Sequence, residues 1–296
     1  MAKQTLLDPK VLSRLSNIEL LARTVVDGFL TGMHRSPKFG FSLEFAEYRP
    51  YVPGDDPRFI DWNVFSRTER TYLKRYLGET NTHLEILLDA SASMGFRSTG
   101  VSKIEYARYL AASLAYLSIR QHDAVGLIVF DEKIRAYRRP STRPGHLHAI
   151  LHTLEKAEPA TGTNLNLPFE HFREHQTRRG LVAVISDFYA DPATVLKAVR
   201  PLVHQGQDIF FLHLLDPAEL EPQFQGSVLL EDMETGEEME VSADFARHEY
   251  REHIQSHIED MRSQTQGAGA DYIVLNTAKP LDLALREYLI FRQRRR

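Results

Sequence analysis

Hydrophobic and polar positions divide this chain into three textures. From residue 8 to 30, apolar residues recur at helical spacing, with Leu12, Leu15, Leu21 and Val25 roughly on one face. Asp8 suits an N-cap, Pro9 suits the first helical position, and Gly28 and Gly32 mark the end. The second texture, over 33–77, has no period. It is dense in aromatic residues and arginines, among them Phe45, Tyr48, Phe59, Phe65 and Arg70, and Pro53-Gly54-Asp55-Asp56-Pro57 is a turn signal in its middle. From residue 83 onward, short apolar runs alternate with amphipathic stretches. The runs at 84–88, 124–130, 181–185 and 208–215 predict strands buried on both faces, and 271–275 predicts a further strand. Helices are predicted over 102–121, 145–156, 168–177, 192–204, 243–262 and 281–292. A short antiparallel strand is expected at 133–138, and a hairpin from 226–230 and 238–241 around Thr235-Gly236.

Strand–helix alternation with apolar strands specifies an α/β fold: a doubly wound, mostly parallel sheet flanked by helices. Three parts follow. Residues 1–80 form an N-terminal helix and an arginine- and aromatic-rich extension; 81–279 form the sheet domain; 280–296 form a C-terminal helix and basic tail. The extension reads either as a packed, salt-bridged cover or as a recognition surface, since arginine and aromatics are enriched in binding hot spots.

Bulk composition narrows the function classes. At 43% hydrophobic and 26% charged residues over 296 positions, the chain is an ordinary globular protein. A net charge of −4 offers no basic field for nucleic acid. The absence of cysteine excludes disulfides, iron–sulfur clusters and a thiol nucleophile, and fits a cytoplasmic setting. Residues 1–10 lack an apolar core, so no secretory signal is expected, and no run of about 18 apolar residues predicts a transmembrane segment.

The candidate chemistry lies where the first buried strand ends. Asp89, Ser91 and Ser93 follow that strand at alternate positions, and residues two apart in an extended segment point the same way. Three oxygen-bearing side chains converging beyond a strand suit a hard divalent cation, Mg2+ or else Mn2+ or Ca2+. Ligands on such sheets bind beyond the carboxyl ends of strands. Asp187 ends a second buried strand, and Thr161-Gly162-Thr163-Asn164-Leu165 places hydroxyls in a turn before a helix. The plainer alternative is that the serines cap the following turn and bond the backbone. A second alternative is a phosphoryl-transfer hydrolase with Asp89 as nucleophile, but such sites want a further carboxylate where Ser91 stands.

Taken together, these segments resemble the von Willebrand factor A-type fold with its metal-ion-dependent adhesion site. The resemblance implies metal ligation by Asp89, Ser91, Ser93 and Thr163, with Thr161 as the other candidate threonine, and by Asp187 through water. The chain departs from the pattern at Phe188, where many adhesion-type domains have glycine. Upstream, the string from Arg49 through Tyr51, Gly54, Asp55 and Arg58 to Asp61 and Trp62 resembles the bacterial domain of unknown function 58 family, over about 35–279. That resemblance implies a non-enzymatic adaptor that binds an acidic residue of a partner protein through the metal. It also implies cooperation with a MoxR-type AAA+ ATPase in assembly or maturation of other proteins, with the signature residues as a partner surface.

Other features draw plainer expectations. His148/His152, His171/His175 and His253/His257 are each four apart on a helix, a spacing that can hold zinc but that solvated helix faces also explain. The acidic segment 231–240 reads as a solvated hairpin, and 292–296 as a basic, fraying helix end.

Overall fold

The computed structural model describes residues 8–15, 17–34, 45–52, 60–76, 83–98, 100–160, 162–175, 179–222, 228–231, 233, 236–241 and 243–294. The single helix expected over 8–30 is two: α1 (Pro9–Leu12) and α2 (Ile18–His34). Short polar side chains compete locally for the backbone. Asn17 accepts from Leu20 N–H through its side chain (2.9 Å) and so starts a new helix.

The aromatic extension holds regular structure that its sequence did not announce. Strands β1 (Phe45–Pro50) and β2 (Tyr72–Tyr76) pair antiparallel, with α3 (Trp62–Thr68) between them in sequence.

The remaining elements follow the predicted alternation. They run β3 (His83–Asp89), α4 (Lys103–Arg120), β4 (Ala124–Phe130), β5 (Ile134–Ser141), α5 (His146–Glu155) and α6 (Asn166–His175). Next come β6 (Leu181–Ser186), α7 (Pro192–His204), β7 (Asp208–Leu215) and α8 (Pro217–Leu220). A hairpin of β8 (Val228–Glu231) and β9 (Glu238–Val241) precedes α9 (Ala243–Gly267), β10 (Asp271–Asn276) and α10 (Asp282–Arg294).

Six strands form one sheet in the order β10-β7-β6-β3-β4-β5. All neighbours are parallel except β5, which runs antiparallel to β4. From β3 the chain crosses over to β4, and from β6 to β7 on the other side. The connections therefore diverge between β3 and β6, and a crevice opens at their carboxyl ends.

Both faces are covered. Leu84, Ile86 and Leu88 of β3 join one apolar cluster with Val25 of α2, Leu110 of α4 and Tyr288 of α10. Leu87 belongs to the opposite cluster, with Phe169 of α6, Val199 of α7 and Met261 of α9. Burial of each such side chain contributes about 1.5–3 kcal/mol. The helices α2 and α10, at opposite ends of the chain, thus share the core of the sheet. Arg292, expected in a fraying tail, is buried and pairs with Asp123 at 2.5 Å. No helix among the described residues is long and apolar enough to cross a membrane.

Candidate functional site

The carboxyl end of β3 delivers Asp89 into the crevice with no exposed surface. Its Oδ1 accepts from Ser91 N–H (2.9 Å), which turns the chain out of the strand. Its Oδ2 accepts from Ser186 Oγ (2.6 Å), at the end of the adjacent strand β6, and from Thr163 Oγ1 (3.3 Å). Ser91 and Ser93 lie with their Oγ atoms 3.1 Å apart. The loop carrying Thr163 is laid across the sheet end by two backbone bonds, Ala160 N–H to Ala90 O (3.0 Å) and Asn164 N–H to Asp131 O (3.1 Å).

Ser91 stands at the N-cap of a short 3-10 turn, Ala92–Gly95, yet its hydroxyl makes no capping bond to the backbone. The hydroxyl turns toward Ser93 instead.

Asp187 follows β6 and is buried. Its Oδ2 accepts from Lys103 Nζ at 2.7 Å, while its Oδ1 is buried without a hydrogen-bond partner among the described residues. Burial, followed by the nearby Asp187 charge, pushes the Asp89 carboxyl up to about 7, against the bonds from Ser186 and Ser91. A cation between the two buried carboxylates would offset their repulsion. The donors fit a hard cation: two carboxylates and three hydroxyls, with one carboxylate oxygen unpartnered. Among the described residues no three His, Asp or Glu side chains form a metal-holding group.

Sequence reasoning missed Lys103, Ser186 and Glu219. Lys103 is the first residue of α4, fixed there by the Ser102–Glu105 capping box. Its ammonium is fully buried and reaches Glu219 Oε1 (2.6 Å) as well as Asp187. Burial disfavours its charge, but the two carboxylates outweigh that and raise its pKa above the usual lysine value. Glu219 in turn accepts from Asp216 N–H (2.7 Å), and Asp216 takes the Ser98 hydroxyl. The signal for Glu219 was the second capping-box pattern, Asp216 with Glu219; Lys103 gave none, because a lysine at a helix start reads as solvated.

Phe188 takes φ = 48°, the left-handed region that favours glycine. Its N–H donates to Ser186 Oγ (3.0 Å), and its carbonyl meets His257 Nε2 (2.9 Å). The ring is fully buried, edge-on to Phe211 at 5.3 Å. Packing therefore holds a left-handed turn at a residue that carries a large side chain.

Of the upstream signature, Arg49 lies in β1 opposite Leu73, and Tyr51 N–H donates to Thr71 O (3.0 Å), extending that ladder. Asp61 is buried and accepts from Val64 N–H (3.3 Å), capping α3. Trp62 is 62% exposed and sits edge-on to Phe65. Gly54, Asp55, Arg58 and Thr161 lie outside the described residues. Of the histidine pairs, His171 and His175 stack with ring centroids 4.1 Å apart.

The sheet order with one antiparallel edge strand is that of a von Willebrand factor A-like α/β fold. A family model described as "Protein of unknown function DUF58" matches residues 47–263. An uncharacterised protein of Mycobacterium tuberculosis is 29% identical over 276 residues, covering 91% of this chain and 86% of that one. Among solved structures, the conserved hypothetical protein BatB from Bacteroides thetaiotaomicron superposes with a TM-score of 0.49 at 15% identity, over 72% of this chain and 99% of that one. The SpRpn10 VWA domain does so with a TM-score of 0.42 at 13% identity, over 70% and 94%.

Proposed function

The chain belongs to the family of proteins of unknown function DUF58, and from that premise and the oxygen cluster between β3 and β6 we propose a divalent-metal-dependent protein-binding adaptor. Asp89, Ser91, Ser93 and Thr163 would hold the ion, with Asp187 behind them. An ion held largely by neutral hydroxyls supplies a Lewis-acidic position for an anionic oxygen, here an acidic side chain of a partner protein. The observation that carries this reading is the buried Oδ1 of Asp187, without a hydrogen-bond partner among the described residues, beside a hydroxyl cluster in which Ser91 makes no capping bond to the backbone. An uncompensated buried carboxylate oxygen costs stability, and a cation removes that cost.

Each residue has its own task. Ser186 and the Ser91 N–H orient Asp89. Lys103 fixes Asp187. The Thr163 loop closes the site from the side of β4. The partner expected from the family resemblance is a MoxR-type AAA+ ATPase, in the cytoplasm, acting with this protein in assembly or maturation of others. Trp62 and Phe65, both exposed, would serve as a further contact. The hydrolase alternative lacks the further carboxylate that such sites want where Ser91 stands.

The experiment is a pull-down from native lysate, with Mg2+ or with EDTA, comparing wild type with a folded Asp89→Ala. Loss of the same specific partner under EDTA and in the variant is expected. An unchanged set of partners would overturn the proposal.

A further inference from the structure

Beside the hydroxyl cluster the surface falls into a second depression of about 400 Å³. Its wall begins at Ala90, the residue after Asp89, whose carbonyl is held by Ala160 N–H. The floor is apolar, with Val129 and Ala157. The rim is basic, from Arg135, Arg138 and Lys156.

Charge accounting leaves a surplus there. Arg135 is spent on Asp131, with its Nη2 2.5 Å from Oδ2. Arg138 is steered rather than neutralised: its Nε donates to Thr153 Oγ1 (3.0 Å), and Thr153 is itself buried and anchored to Ala149 O (2.9 Å). Lys156 caps the end of α5. Among the described residues, neither Arg138 nor Lys156 forms an ion pair. Glu158 is the one carboxylate of the lining. A locally positive depression with an apolar floor, in a chain of net charge −4, complements a short acidic side chain: methylenes on the floor, carboxylate at the rim.

We propose that this depression receives a second acidic side chain from the partner segment whose first carboxylate lies at the Asp89–Ser93 cluster. The recognised element is then an acidic peptide carrying two nearby carboxylates, read by the hydroxyl site and by Arg138 with Lys156. The inference rests on the proposed metal-site function for the first contact only. Linking two weak contacts in one segment makes the second effectively intramolecular, which raises affinity and fixes spacing. A lone carboxylate elsewhere on a surface would gain only the first contact, so the pair also supplies specificity.

The probes are fluorescein-labelled glycine–serine peptides carrying either one aspartate, or two acidic residues separated by glycine spacers of different lengths. Binding is followed by fluorescence polarisation in Mg2+ and in EDTA. At one favoured spacing the two-acid peptide should bind wild type about tenfold tighter than the one-acid peptide. The double variant Arg138→Glu/Lys156→Glu, with its melting temperature checked, should erase that difference; the milder Arg138→Gln/Lys156→Gln should erase most of it. Equal binding of the two-acid peptide to wild type and to both double variants would overturn the proposal. A failure of the metal reading alone has a different signature: EDTA and Ser93→Ala would leave both peptides unaffected, while charge reversal still weakened the two-acid peptide.

Discussion

Lys103 Nζ lies 2.7 Å from Asp187 Oδ2, and both side chains are buried. A fixed ammonium therefore stands behind the last acidic residue of the cluster and lowers the net negative charge offered to an incoming cation. Removing one partner of a buried pair is costly, on the order of 3–5 kcal/mol, because the other charge is left uncompensated. Lys103→Met should lower the melting temperature in EDTA. It should also enlarge the rise in melting temperature produced by Mg2+, because Asp187 then carries no competing cation. A nearby unit charge at an effective dielectric of about 20 is worth on the order of 2 kcal/mol, a tightening of tenfold or more. Thermal melts of both proteins across a Mg2+ series check this; a variant that responds to Mg2+ no better than wild type contradicts it.

Phe188 reverses an ordinary rule. At most positions alanine is more stable than glycine, because glycine loses more backbone freedom on folding. With φ at 48°, a side chain on residue 188 costs on the order of 1–2 kcal/mol, and the buried ring repays it. Phe188→Gly should lose the ring's packing but gain relief of the backbone. Phe188→Ala should lose the packing, on the order of 3–5 kcal/mol, and keep the strain. Denaturant unfolding should rank wild type above glycine, and glycine above alanine. Alanine above glycine would contradict the strain.

Glu85 is a buried carboxylic acid in β3 with neither oxygen hydrogen-bonded among the described residues. Room for it comes from Gly126, its register partner on β4, where a Cβ would overlap the carboxylate. Burial pushes its pKa well above the ordinary 4.5. The folded state therefore keeps a proton that the unfolded chain releases, and stability falls as pH rises from about 4.5 toward the folded pKa, by about 1.4 kcal/mol per pH unit. Glu85→Gln removes that loss. Its melting temperature should match wild type near pH 4.5 and exceed it increasingly as pH rises toward the folded pKa. A gain that does not vary with pH would show that Glu85 is ionised in the fold.

Asp123 and Arg292 tie the turn before β4 to the last helix. Asp123→Ala should destabilise by on the order of 3–5 kcal/mol, while Asp123→Leu/Arg292→Met should recover much of the loss, because an apolar pair removes both desolvation costs. Urea denaturation of the three proteins measures it, and equal stability of the single and double variants would contradict it.

The strand–helix alternation was legible because every central strand is buried on both faces and reads as an unbroken apolar run, as in β3, β4, β6 and β7. The β1–β2 ladder was not legible. Its partners, such as Arg49 and Leu73, are far apart in sequence, and nothing local marks them as paired. The same distinction holds at the site. Asp89, Ser91 and Ser93 share one segment whose extended spacing aims them together. Ser186, Lys103 and Glu219 reach the cluster from three other segments, and only the sheet order brings them there. Asp61 shows the reverse: a residue singled out as a partner surface is buried and caps α3.

The most direct measurement is equilibrium binding of Mn2+, followed by loss of the free-ion electron paramagnetic resonance signal, for wild type and for Ser91→Ala/Ser93→Ala. The Ser91 hydroxyl makes no capping bond to the turn that follows, and a melting temperature of the variant in EDTA confirms that it is folded. Wild type should take up one ion per chain, and the variant should bind it at least tenfold more weakly. No uptake by wild type at millimolar Mn2+, or equal uptake by the folded variant, would contradict a metal site built on Asp89, Ser91 and Ser93.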